Sequence, residues 1–157
     1  MHEGISSVIF APLLILQIFL FPMVASLWLQ GWTDSRRTIE LQEVGSHLAS
    51  LTQQLYSSIN RFTVSSGKTT VKLEIPQFIE NIPYIGNATL RQTLSGNSSK
   101  ILEISLRLTT VNITVSTTAT LGENTVWKDS TFQSNSPPVL LVAEKYPDGT
   151  IQLGFGE

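Results

Sequence analysis

The sequence predicts an α+β chain, a long N-terminal helix followed by an all-β domain, and three observations predict it. Gly4 to Thr33 contains no Asp, Glu, Lys or Arg, whereas the remainder is rich in Thr, Ser, Asn and β-branched residues. From Leu41 to Phe62 apolar residues recur at threes and fours, the period of one helical face. Beyond Thr69 the period falls to two, the mark of half-buried strands. A chain of 157 residues has room for one ordinary domain and an appendage. These shifts divide it into an apolar helix at 1–32, an amphipathic helix at 33–63 and an outer β-domain at 64–157.

Ile5 to Leu29 reads ISSVIFAPLLILQIFLFPMVASLWL, and as a helix it would span roughly 36 Å at about 1.5 Å per residue. A bilayer core needs about 20 apolar residues, so this run suits lipid or a dry bundle. A cleavable secretory signal has a shorter apolar core of about 7–15 residues and a small-residue cleavage site, which does not follow cleanly here. Pro12 and Pro22 each remove an N–H donor and press on the preceding turn, so a local kink is expected at both. Lipid-embedded prolines are tolerated where neighbouring segments satisfy the freed carbonyls, and the Gln17 amide favours a partner across a helix interface. Both features point to a helix packed among copies of itself, with a single-pass anchor as the alternative. Trp28 and Trp32 are expected at the water boundary.

Orientation presents a conflict. Met1-His2-Glu3 carries no Lys or Arg, while Arg36 and Arg37 follow the run, so the positive-inside rule sends the C-terminal part to the cytoplasm. Three Asn-x-Ser/Thr sequons in that part call for the outside. A basic leader, removed after it had set the topology, would reconcile the two.

Leu41, Val44, Leu48, Leu51, Leu55, Ile59 and Phe62 form the helical stripe, and Glu40, Gln42, Glu43, Gln53, Ser57 and Arg61 the opposite face. Too few heptads are present for a coiled coil, and Gly45 interrupts them, so the stripe is expected to pack on the β-domain. Alternating runs follow at Thr69–Ile75, Ala88–Leu94, Leu102–Leu108, Val111–Val115, near Val126, Val139–Ala143 and Ile151–Phe155. About seven short strands suit an Ig-like sandwich. Leu108 and Val111 sit on opposite parities, so Thr109-Thr110 holds either a bulge or a break. Tyr146-Pro147-Asp148-Gly149 is a type I turn that closes a hairpin of the last two strands.

The sequons are Asn87-Ala88-Thr89, Asn97-Ser98-Ser99 and Asn112-Ile113-Thr114. Each is a short pattern that chance also produces in Thr-rich sequence. Alternation places Asn112 on the polar face of its strand, with Ile113 inward, so a sugar there would face solvent.

Several function classes find no support. A net charge of −2 without a basic patch gives no reason to expect nucleic acid. The absence of cysteine excludes disulfides and thiolate metal sites. No H-E-x-x-H, nucleophile elbow or P-loop occurs. His2 precedes the helix and His47 lies on its polar side; Glu74 and Glu103 fall on outward strand faces, Asp148 in a turn and Glu144 beside Lys145. Ser and Thr without a poised base are strand formers and surface hydroxyls. The expectation is a non-enzyme with no cofactor and no metal.

The opening Gly4-Ile5-Ser6-Ser7-Val8-Ile9, its continuation into an amphipathic helix and the sequon-bearing β-domain together resemble an archaeal type IV pilin or archaellin-like subunit. Val71-Lys72-Leu73-Glu74-Ile75-Pro76, followed by Ile82-Pro83-Tyr84-Ile85, is similar to the first strands of such domains. The resemblance implies a cell-surface filament for adhesion or motility, a helical homopolymer of identical subunits that wait in the membrane before assembly, with glycans attached outside. It implies a helix-bundle core containing Glu3, Ile5, Val8, Ile9, Pro12, Leu16, Gln17 and Pro22. Met1-His2-Glu3 departs from a basic leader, which moves the implied processing site upstream; Glu3 would then pair with the N-terminal amine of a neighbouring subunit, because a buried carboxylate requires a partner. The alternative is a single-pass, membrane-anchored surface β-domain acting as a binding module.

Overall fold

The computed structural model describes residues 3–61, 63–92, 99–136 and 138–156, with the side chains of 3–13 outside that description. One helix, α1 (Glu3–Ile59), is followed by β1 (Gly67–Lys72), β2 (Tyr84–Gln92), β3 (Lys100–Leu108), β4 (Thr114–Leu121), β5 (Thr125–Trp127), β6 (Thr131–Gln133), β7 (Leu140–Lys145) and β8 (Ile151–Gly156). The chain divides into two compact units, 1–36 and 37–157.

Within the larger unit the strands form a β-sandwich of two four-stranded sheets, ordered β1-β7-β8-β5 and β4-β3-β2-β6. Pairing is antiparallel except for β5 with β8, where Thr125 and Trp127 run alongside Ile151 and Leu153. The β7–β8 hairpin turns where the sequence places it. Gly149 N–H donates to Tyr146 C=O at 3.0 Å, Asp148 accepts from Thr150 N–H at 2.9 Å, and Gly149 takes φ +87°, a left-handed conformation that costs glycine nothing sterically.

The sheet β4-β3-β2-β6 buries one face only. Leu102, Ile104, Leu106 and Leu108 of β3 are buried, as are their register partners Ala119 and Val115 of β4 and Ala88 and Tyr84 of β2. On the opposite face stand Asn87, Thr89, Ser105, Ser116 and Thr118, with a Ser105–Ser116 hydroxyl contact of 2.9 Å and an Arg91–Glu103 ion pair of 2.8 Å. Such a one-faced sheet needs cover, and residues 41–59 of α1 supply it: Leu41, Val44, Leu48, Leu55 and Ile59 all join the core. From Leu41 to Ile59 the helical stripe thus packs on the β-domain as its spacing predicts, and Phe62 lies outside the described residues. Phe132 and Phe155, with ring centroids 4.7 Å apart, join the two sheets, and Trp127 and Tyr84 extend the edge-to-face ladder at either end.

Gly45 sets how close helix and sheet approach. A Cβ there would lie 2.9 Å from Thr117 Cγ2, and the Thr117 hydroxyl donates to the Gly45 carbonyl at 3.0 Å. The residue that interrupts the heptads is therefore the contact point. The helix end is tied down separately, by Tyr56 OH donating to Asn124 Oδ1 at 2.9 Å and Asn124 Nδ2 donating to the Gly149 carbonyl at 2.8 Å.

Several expectations need correction. The described residues form eight strands where about seven are expected, the added one being the three-residue β6, whose alternation is too short to read. Val111, Asn112 and Ile113 are not a strand; they form a tight turn in which Ile113 N–H donates to Val111 C=O at 2.8 Å, and β4 begins at Thr114. Thr109-Thr110 is accordingly a break and not a bulge. Glu74 lies beyond the end of β1, whereas Glu103 stands on the outward face of β3 as expected, paired with Arg91. The helix continues through Gly31 and past Pro22, leaving the Ile18 carbonyl without its usual i+4 donor.

The segment between β1 and β2 is held by side chains. Ser134 Oγ donates to the Gln77 carbonyl at 2.6 Å and accepts from Tyr84 N–H at 2.9 Å; Tyr84 OH donates to the Pro76 carbonyl at 2.7 Å. Ile79 and Ile82 exchange two backbone hydrogen bonds of 2.9 Å around Glu80-Asn81, both at positive φ. Glu80 pays for this with an Arg37 ion pair of 2.8 Å.

Gly45→Leu is expected to destabilise the folded chain by about 1–3 kcal/mol through overpacking against Thr117, seen as a lower thermal midpoint, while Gly31→Leu, whose Cβ meets nothing within 4 Å, leaves that midpoint unchanged. Burial pushes the Tyr84 phenol above its ordinary value of 10.0. Because the folded chain holds that proton more tightly than the unfolded one, the stabilisation is complete below the unfolded value and is lost as pH rises above it. The denaturation midpoint should fall above about pH 10, and less steeply in Tyr84→Phe.

Candidate functional site

The surface that asks for a function is the apolar part of α1. From Leu14 to Trp32 every large apolar side chain is exposed, Phe19 and Phe21 at 75%, Trp28 at 85% and Trp32 at 66%. Leu16, Gln17 and Pro22 share that exposure, whereas the side chains of Glu3, Ile5, Val8, Ile9 and Pro12 lie outside the described residues. The helix is long and apolar enough to cross a membrane, with a mean hydropathy of 1.7 over a window of which none is buried. At about 25 cal/mol per Å², covering a surface of this extent is strongly favourable.

Polar groups in the stretch are arranged for a dry setting. Ser26 Oγ donates to the Met23 carbonyl at 2.8 Å and Thr33 Oγ1 to the Leu29 carbonyl at 2.8 Å, so both hydroxyls are satisfied within the helix. Gln17 makes no hydrogen bond among the described residues and keeps its amide available to a partner outside the chain. At the polar end Arg36 lies over the Trp32 ring, 5.9 Å from its centroid, which stabilises the cation and orients the indole.

Of the three sequons, Asn87 stands mid-strand in β2, exposed, between Ser105 and Thr131 on the open sheet face. Asn112 is exposed at the centre of the turn before β4, with Thr114 exposed beside it. Its solvent exposure thus comes from a turn and not from strand alternation. Asn97 lies outside the described residues.

His47 is exposed, and the structure places it beside residues that sequence reasoning left scattered. Glu43, Val44 and His47 of α1 face Glu74, Ile75 and Phe78 across a groove of about 610 Å³. Phe78 is 48% exposed there. No sequence signal joins Glu43 to Glu74, because the connecting segment is irregular and its course is set by Ser134 and Tyr84. Among the described residues no group of three or more His, Cys, Asp or Glu side chains converges as a metal site.

Comparison with known protein families, characterised proteins and solved structures found no match to this chain.

Intact-mass measurement on chain purified from a glycosylating host should show a carbohydrate increment that Asn112→Gln reduces by one glycan, since the turn leaves both Asn112 and Thr114 open to a transferase.

Proposed function

We propose that the chain is a structural subunit of an extracellular, type IV pilus-like filament, with apolar helices bundled in the core and glycosylated β-domains outside, serving adhesion or motility. The observation that carries this reading is the exposure of every large apolar side chain from Leu14 to Trp32 in a chain whose β-domain has a buried core of its own. A helix apolar all round is stable in lipid or inside a bundle, and Gln17 favours the bundle because an unpaired amide in hydrocarbon is costly. Lipid is then the state before assembly, identical subunits are the partners, and the role is structural and not catalytic.

The second reading, a single-pass anchor displaying a surface binding module, is favoured by the Trp28–Trp32 pair at the polar end of the run and by the self-satisfied hydroxyls of Ser26 and Thr33. The two differ in whether copies bury the helix against one another. Electron microscopy of full chain after detergent removal should show fibres. Chain that instead stays dispersed on vesicles would overturn the filament reading in favour of the anchor. Leu20→Arg, which adds about 2.5–3.5 kcal/mol to the cost of placing the helix in an apolar environment, should abolish fibres while leaving the thermal transition of the β-domain in place.

A further inference from the structure

Two different surfaces of this chain complement each other. One is a helix face: Trp28, Trp32 and Arg36 recur every four residues and so share a side, with both indoles largely exposed and Arg36 held over Trp32. The other is the groove in the 37–157 unit, where Glu43 and Glu74 make no ion pair among the described residues and Val44, Ile75 and Phe78 supply an apolar lining. The first surface is aromatic and cationic, the second apolar and anionic.

We propose that the Trp28–Trp32–Arg36 face of one copy seats in the Glu43–Glu74–Phe78 groove of a second copy. The inference rests on the filament reading and names the contact that builds it. Trp and Arg are the side chains most enriched among residues that dominate interface energetics. The groove, at about 610 Å³, accommodates an indole, Phe78 offers it a ring edge, and the two carboxylates stand ready for the guanidinium. The two surfaces differ, so the contact is heterologous. Each copy that fills a neighbour's groove leaves its own groove vacant for the next, and such a contact repeats into an open filament unless its rotation closes a ring.

The test uses full chain assembled by detergent removal, reading the fraction that sediments as fibres. Arg36→Glu alone, and Glu43→Lys with Glu74→Lys, are each expected to lower that fraction roughly tenfold, and the three changes together to restore it to within about twofold of the unaltered chain. Far-UV circular dichroism checks that each variant keeps its fold. A second measurement does not depend on charge reversal: the chain has no cysteine, so Ser35→Cys, beside Trp32, with Ser46→Cys, on the groove lining, should give, on oxidation of fibres, a ladder of covalent oligomers while leaving the proposed anchors in place. Reversal variants that sediment like the unaltered chain, a triple variant that does not recover, or the absence of a ladder would each overturn the contact. If Arg36→Glu loses binding to anionic vesicles while its fibres are unchanged, the face belongs to lipid headgroups and the contact is overturned. Failure of the unaltered chain to form fibres removes the filament reading and this contact together, whereas fibres insensitive to all the changes remove the contact alone.

Discussion

Cover for apolar surface is the constraint on which this molecule turns. From Leu41 to Ile59 the stripe of α1 has cover within the chain, because the sheet β4-β3-β2-β6 presents a matching apolar face. From Leu14 to Trp32 it has none, and no charged residue interrupts the run to make water acceptable. The same secondary structure therefore meets two different solvents. Where side chains of the chain itself are the solvent, spacing by threes and fours suffices; where the chain supplies no cover, the helix is apolar on every side.

What was legible in the sequence followed from periodicity and turn chemistry. Leu41, Val44, Leu48, Leu55 and Ile59 could be placed in the core because a helical period leaves one face to bury. The hairpin at Pro147-Asp148-Gly149 was readable because its residues suit only a few backbone conformations. The failures have equally local causes. β4 is composed largely of Thr and Ser, whose hydroxyls blur the contrast between its faces, so its start was misplaced onto Val111 and Ile113. β6 contributes a single inward residue, Phe132, and one residue has no period. The groove could not be foreseen at all, since Glu43 and Glu74 meet only through an irregular segment whose path depends on Ser134, far along the chain.

That segment also shows how strain and anchoring are matched. Glu80 and Asn81 occupy backbone conformations uncommon for residues with a side chain. The Arg37 ion pair and the reciprocal Ile79–Ile82 hydrogen bonds hold them there. One wall of the groove is thereby fixed to the helix that forms the other wall, so its width is set by hydrogen bonds and packing within a single unit and not by a free loop.

The position of β8 bears on how the protein is made. It is the last strand in chain order, yet it lies inside its sheet, between β7 and β5, and contributes Ile151, Leu153 and Phe155 to the core. Synthesis runs from the N-terminus, so the apolar helix emerges before the strand that closes the sheet. Until Phe155 is in place, Trp127 and Phe132 lack their shared ring partner and β5 has no strand to pair with. The greasy segment thus precedes, throughout translation, the completed head that would accompany it. An incomplete product would betray itself by an open sheet, with β5 unpaired and the ring ladder broken.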